Sequence, residues 1–425
     1  MMSQIKKYAA VGGAVCLVAC WPLVVGQITQ NAFEREISAF SNQWVEGKTL
    51  TYDRGYLSTH VEVEFTVVDP ELKSDLQADG FPVSLVWRSD IRHGVFSVNA
   101  ETTLKNFPDF PLMIKTSTSL AGNTDFETTL GKLNYKGQYE GDQPWALTST
   151  EATVNGHASA AGELEYQYQM PSLMIDFASE EQFTFDNLSG HGNGKKDGYF
   201  WLGQQQIKTD KVTFRDLLAE NQMVLNQLSV QSGLSLDATG SRMNMNQVFK
   251  TAAVTTPMGN LTGFDMDFSL LNVDKASMTK IVSEAEKYSE TMQMDQAEVI
   301  GAFDQLVRQG FSVVLDRLNI GLEDGQIQTS VKLTLPEGIE SVSMNPQQVI
   351  QKLEGEIHAT VPVSLIDKDP ALRKGMDELI VMEMMQQKGD NYVTNTTIKD
   401  GNLIFESGEK MPLASSLMML MYLSR

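Results

Sequence analysis

Cysteine is almost absent. The chain has two among 425 residues, Cys16 and Cys20, and both lie in one apolar stretch near the N-terminus. Everything beyond that stretch lacks a disulfide framework, a thiol nucleophile and a thiolate metal site. It must hold itself by apolar burial and strand pairing. Histidine is also sparse. His60, His93, His157, His191 and His358 lie far apart, and none has a second histidine or a carboxylate at metal-ligand spacing on one helix. No G-x-S-x-G nucleophile elbow occurs. "HGNGKKDG", residues 191–198, imitates a phosphate loop but lacks its six-residue frame and the Ser or Thr after Lys, so it reads as a hairpin. Asp265 and Asp267 put two carboxylates on one strand face, which strand alternation alone explains. The expectation is a protein that is not an enzyme, with no catalytic, cofactor or metal residue to assign. An envelope hydrolase without a recognisable motif stays as a distant alternative.

Positive charge is scarce as well. Lys and Arg number 33 against 54 Asp and Glu, for a net charge of −21. Such a surface repels nucleic acid phosphates and, taken as a whole, anionic lipid headgroups, so no nucleic acid partner is expected. Solubility is the plain reading of the excess acid, and a surface built to capture cations is the alternative.

One long apolar run stands out. Residues 8–26, "YAAVGGAVCLVACWPLVVG", carry no charge over 19 residues. At about 1.5 Å per residue a helix of that length nearly matches the ~30 Å hydrocarbon core of a bilayer. Lys6 and Lys7 precede it and keep residues 1–7 cytoplasmic under the positive-inside rule. Those two lysines are the only charges before residue 27, so the exported portion holds 31 basic and 54 acidic residues, a net −23. The reading is a retained signal anchor in a bacterial inner membrane, single-pass, with the bulk of the chain in the periplasm. "LVAC", Leu17–Cys20, leaves an alternative in which Cys20 is lipid-modified, although "WPLVVG" after it stays apolar. No clean A-x-A site ends the run, which disfavours ordinary cleavage.

Residues 27–47 follow as a helical stalk, with Phe33, Ile37, Phe40 and Trp44 at helical spacing. From 48 to 273 the pattern turns to period two. "HVEVEFTV" sets Val61, Val63, Phe65 and Val67 on one face and Glu62, Glu64 and Thr66 on the other. Gly122-Asn123, Gly141-Asp142, Asn155-Gly156 and Asp197-Gly198 are the hairpin signals between such runs. Residues 274–310 form a helical insertion. Asp274 caps its first helix; the second turns Val299, Ile300, Phe303, Leu306 and Val307 inward and ends at Gly310. Residues 311–425 are α+β. They hold a short helix at Asn345-Pro346, the strand "GEIHATVPVSLI", a helix with Leu372, Met376, Leu379 and Ile380 on one face, and a closing hairpin at Asp400-Gly401. The fold class is α+β, mostly antiparallel β: an extended meandering sheet with a helical insertion and an N-terminal transmembrane helix. No linker rich in Pro, Gly or Ser divides it, and two lobes are expected to meet near residue 270.

A short repeat remains. Arg54-Gly55-Tyr56-Leu57-Ser58 and His93-Gly94-Val95-Phe96-Ser97 lie 39 residues apart, each a basic residue, Gly, two apolar residues and Ser before an alternating strand. With "CWPLVVGQI", "YDRGYLST" from Tyr52 onward, "RHGVF" and the closing "TTIKDGNLIFESGEKMPL", the chain resembles the YdgA-like family of bacterial envelope proteins, a domain-of-unknown-function family. Val95 departs from the family's turn, where Pro is expected. The resemblance covers most of the chain and rests on turn motifs at Tyr52, Arg54, Gly55, His93 and Gly94. It implies an inner-membrane-anchored periplasmic protein of unassigned activity. More distantly, the layout is similar to the AsmA-like envelope proteins, whose extended sheets form lipid-conducting grooves. Met382, Met384, Met385, Met418, Met419 and Met421 are read as C-terminal helix residues that fill a core or line a greasy groove. The partners expected are the membrane, through the N-terminal helix, a lipid or other apolar ligand and, as the alternative, another envelope protein bound to a scaffold. The Arg54-Gly55 turn is expected close to the membrane stalk.

Overall fold

The computed structural model describes residues 44–416 apart from 79, 139–143, 178–179, 292–293, 341 and 344, together with Glu34, Ile37 and Ser41. The expected anchor at 8–26, Cys20, most of the stalk, Gly141-Asp142 and the methionines at 418, 419 and 421 lie outside the described residues. Among the described residues no helix is long and apolar enough to cross a membrane. The protein is mostly antiparallel β with few helices. It divides into two compact units, one taking in residues up to Lys195 with Ile207–Met223, the other Lys196–Gln206 and everything from Val224. The division expected near residue 270 is not where the chain divides, because the strand ladder there is unbroken: β17 below pairs on both sides within the second unit.

The first unit contains β1 (Val45–Arg54), β2 (Ser58–Val67), α1 (Pro70–Ala78), β3 (Ser84–His93), β4 (Ser97–Leu104), β5 (Leu112–Ser119) and β6 (Thr124–Leu130). β7 (Leu133–Gln138), β8 (Pro144–Ser149), β9 (Ala152–Ala158), β10 (Glu163–Asp176) and β11 (Glu181–Asp197) follow, the last two residues of β11 belonging to the second unit. Antiparallel pairs run β1-β2-β3-β4-β5-β6, then β6 to β9, β9 to β10 and β10 to β11. The β7–β8 hairpin is set in between, with β8 on the far half of β10. Alternation puts Val61, Val63, Phe65, Trp87, Ile91, Leu112 and Ile114 into one buried cluster. Ile37 joins it, so the helical spacing of the stalk serves packing there. Trp44 ends that spacing, and the chain is already a strand at Val45 rather than at 48.

α1 breaks the expected all-strand run. Asp69 Oδ1 accepts the Leu72 N–H at 2.7 Å, and Pro70 opens the first turn. Leu72 and Leu76, one turn apart, are buried.

β12 (Phe200–Asp216) and β13 (Asn221–Leu236) each contribute residues to both units. The second unit continues with β14 (Arg242–Thr251), β15 (Ala253–Thr256), β16 (Gly259–Leu261), β17 (Gly263–Asp274), α2 (Lys275–Thr291), α3 (Gln296–Gln309), β18 (Phe311–Leu322) and β19 (Gly325–Leu335). It closes with α4 (Pro346–Lys352), β20 (Glu354–Pro362), α5 (Val363–Ile366), α6 (Pro370–Val381), β21 (Gln386–Lys388), β22 (Asn391–Lys399), β23 (Asn402–Phe405) and β24 (Lys410–Pro412). Its ladder runs β13-β14-β17-β18-β19-β20-β22-β23-β24, antiparallel throughout.

The helical insertion resolves into α2 and α3. Asp274 Oδ2 accepts the Ser277 N–H at 2.8 Å, and Met278, Ile281, Val282 and Leu306 pack on Phe200, Met243 and Val273. α3 is rotated from the expected face. Ala302, Leu306 and Val307 are buried, whereas Ile300 and Phe303 stay about half exposed. Arg242 fixes this end of the helix by donating to the Gln309 and Gly310 carbonyls, where a cation also suits the helix dipole. On α6, Met376 is buried and Leu379 and Ile380 pack beside it, but Leu372 is half exposed. α4 begins at Pro346 after Asn345, whose side chain makes no capping bond. The expected strand through "VSLI" stops at Pro362, and Val363–Ile366 is a helical turn.

Candidate functional site

Four turns of the first unit lie side by side at one end of its sheet. The register places Arg54 opposite Thr59, Ser58 opposite Arg92, Ser97 opposite Ser119, Thr124 opposite Ala158 and Leu164 opposite Ala158. The turns at 55–57, 94–96, 120–123 and 159–162 therefore share one edge. Eight strands at about 4.8 Å spacing make that edge roughly 34 Å long.

The two repeat turns are built alike. The Gly55 N–H donates to the Ser58 carbonyl at 2.7 Å and the Gly94 N–H to the Ser97 carbonyl at 2.8 Å. A Cβ at position 94 would come within 2.7 Å of that same carbonyl oxygen, so the closing bond requires glycine there. The turns are also tied to one another. The His93 N–H donates to the Leu57 carbonyl at 2.8 Å, the Leu120 N–H to the Phe96 carbonyl at 3.3 Å, and the Ala160 N–H to Asn123 Oδ1 at 2.9 Å. Thr59 Oγ1 and His93 Nε2 lie 2.7 Å apart just behind the row.

What the row presents is apolar. Tyr56 is 96% exposed, Val95 81%, Phe96 77%, Leu57 66% and Leu120 64%. No charged residue occurs at 55–57, 94–96, 120–123 or 159–162. Burying five such side chains is worth roughly 7–15 kcal/mol. That is comparable with the ~4–15 kcal/mol that association costs, so burial of the row offsets much of that cost.

The family-like turn residues thus come together, with separate roles. Gly55 and Gly94 close the turns. Tyr52 packs against the core cluster. Arg54 and Arg92 are exposed immediately behind the tips, and neither makes an ion pair among the described residues. Arg54 stands opposite buried Thr59 and so leans to the inner face; Arg92, next to buried Ile91, leans to the outer one. The Arg54 turn lies at the opposite end of β1 from Val45, about 30 Å away along a ten-residue strand; most of the stalk expected beside it lies outside the described residues.

The other candidates do not assemble. His60, His157 and His358 are held across strands by Asp90, Asp125 and Asn395. Asp265 and Asp267 meet Arg317 at 2.9 and 3.7 Å, and Lys250 lies 3.6 Å from Asp265, so cations of the protein already neutralise them. Among the described residues no group of His, Cys, Asp or Glu could hold a metal ion. Residues 191–197 are strand, and only Gly198-Tyr199 make the turn, so "HGNGKKDG" is mostly not a loop. Met382, Met384 and Met385 follow α6 rather than sit in it. Met385 is core, whereas Met382 and Met384 line an open cleft of about 330 Å³ with Val381, Phe405 and Met411.

A mostly antiparallel β protein with few helices, bearing an exposed apolar edge, is the class these features define. The chain matches the family of bacterial proteins of unknown function (DUF945) over residues 5–414, and it belongs to that family. No curated protein and no solved structure matches it.

Proposed function

We propose that this chain is a membrane-tethered, non-catalytic protein of the bacterial envelope that engages an apolar partner surface through the tip row of its first unit. In this reading residues 8–26 anchor it in the inner membrane and the sheet stands in the periplasm, as the likeness to YdgA-like proteins implies. The observation that carries the reading is the row itself. Five bulky apolar side chains are held out into water by turns that are hydrogen-bonded to one another. Large exposed apolar patches on a folded protein mark interaction surfaces. The test is photocrosslinking of the full chain in native membranes, with benzoylphenylalanine at position 96 and, as control, at exposed Asp109 in the β4–β5 connection at the other end of the sheet. A specific adduct at 96 and none at 109 is the expected result. Equal, background labelling at both would remove the reading.

A second reading, carriage of a lipid or other apolar ligand, is favoured by the methionine-lined cleft at Met382, Met384 and Met411. It predicts a stoichiometric apolar molecule in extracts of the gently purified protein, released by M384D. An empty protein counts against it.

A further inference from the structure

The tip row's partner can be narrowed by its chemistry, taking the docking role just proposed as given. We infer that the row seats in the interfacial layer of a phospholipid bilayer, apolar tips inward and Arg54 and Arg92 at the level of the phosphates.

Three observations point there. First, the apices combine aromatic and aliphatic residues, Tyr56 with Leu57 and Val95 with Phe96, and carry no charge. Tyrosine is enriched at the membrane interface, and Phe and Leu are side chains that interfacial segments bury there. The turn backbones are already closed by their own hydrogen bonds at Gly55, Gly94, Gly122 and Gly162, so little unpaired backbone would enter the lipid. Second, Arg54 and Arg92 sit two residues behind Tyr56 and three behind Val95, one on each face of the sheet. At about 3.3 Å per residue that is within the ~5–10 Å depth of interfacial insertion, so shallowly seated tips put both guanidinium groups among the headgroups. Third, the apices form a single row, roughly 34 Å long by strand count, and a fluid, planar phase closes around every tip of such a row without a matching surface. The rest of the chain, with its excess acid, is repelled from an anionic surface and keeps the sheet edge-on.

The test uses the full chain with C16S, C20S and F96C, labelled at position 96 with an environment-sensitive NBD dye. It is held in nanodiscs of phosphatidylethanolamine and phosphatidylglycerol, and spin-labelled phospholipid is used as quencher. Vesicles of the same composition are then added. A blue-shifted, lipid-quenched signal is expected, in the disc alone if the tips meet the anchoring membrane, or only with vesicles if they meet a second one. Y56D abolishes it. R54Q with R92Q weakens partitioning on anionic vesicles about 30-fold, near five-fold per cation, with little effect on neutral ones. Water-like emission in both settings overturns the bilayer assignment. A protein adduct at 96 in the crosslinking experiment would then leave the docking reading standing without this one, and no adduct at all would remove both.

Discussion

Gly156→Ala tests the register of the first sheet at one atom. Asn155-Gly156 reads as a hairpin turn, yet both residues lie inside β9, with Gly156 opposite Phe126 on one side and Tyr166 on the other. A Cβ there would lie 2.4 Å from Phe126 Cζ and 2.5 Å from the Glu165 carbonyl oxygen. The ring could swing aside, but the carbonyl belongs to the neighbouring strand, so the ladder itself must shift. Overpacking of this kind costs about 2–3 kcal/mol. For a unit of roughly 200 residues, each kcal/mol moves Tm by about 2–4 °C, so a fall of about 4–12 °C is expected. The assay is differential scanning calorimetry of the full chain in detergent. Gly233→Ala in β13 is the control, because its nearest contact is Gln204 Cγ at 3.7 Å and no positive φ is involved. There the second unit, which holds Gly233, should lose nothing or gain about 0.5–1 kcal/mol. Asn155→Thr separates strand from turn: it is near neutral in an extended strand and costs ~1–2 kcal/mol at a left-handed turn position. An unchanged transition in G156A, or a clear loss in N155T, would refute the register.

Met376→Ala should cost about 2–4 kcal/mol by urea unfolding while Leu372→Ala changes stability by less than ~0.5, since only Met376 is buried in the cluster around Tyr392. Asp237 is held below the ordinary carboxylate range by the Arg242 N–H and then the Thr239 hydroxyl. Its contribution is therefore complete above about pH 4 and lost as pH falls through the depressed value. The penalty of Asp237→Ala, read from melts against pH, should be flat from neutral pH to that point and shrink below it; a penalty that grew on acidification would reverse the assignment.

Local chemistry and distant neighbours divide what could be read from the chain. Asp400-Gly401 is a turn as its dipeptide signals, with φ of +51° and +72°, the two left-handed positions of a tight hairpin. Asn155-Gly156 carries the same signal and fails. Its glycine answers to Phe126, thirty residues away, and nothing local records that. Gly190 repeats the device, lying beneath the Tyr168 ring on β10. α1 left a legible mark in Asp69-Pro70 and the Leu72–Leu76 spacing, but the alternating residues on both sides masked it. The face of α3 was not legible, because Ile300 and Leu306 are equally apolar and only tertiary packing chooses between them. The repeat at Arg54 and His93 was visible, and its turns are real. That Tyr56 and Phe96 stand in water side by side follows only from the strand register, which aligns turns 39 residues apart.

That alignment decides whether the tips belong to folding or to function. A turn needs small or polar residues to reverse the chain, and Gly55 and Gly94 already supply that. Tyr56, Leu57, Val95 and Phe96 add apolar surface that the fold leaves exposed, so the folded state draws almost no burial energy from them. Replacing all four by serine should therefore leave the unfolding free energy within ~0.5 kcal/mol of the parent, or raise solubility, while crosslinking at the neighbouring Leu120 falls to background. The pair of measurements is discriminating, because core residues behave oppositely. Ile114→Ala, at a fully buried position of the same sheet, should cost ~2–5 kcal/mol. If the serine variant unfolded as readily as I114A, the tips would be part of the unit's packing, and the exposed edge would carry no partner.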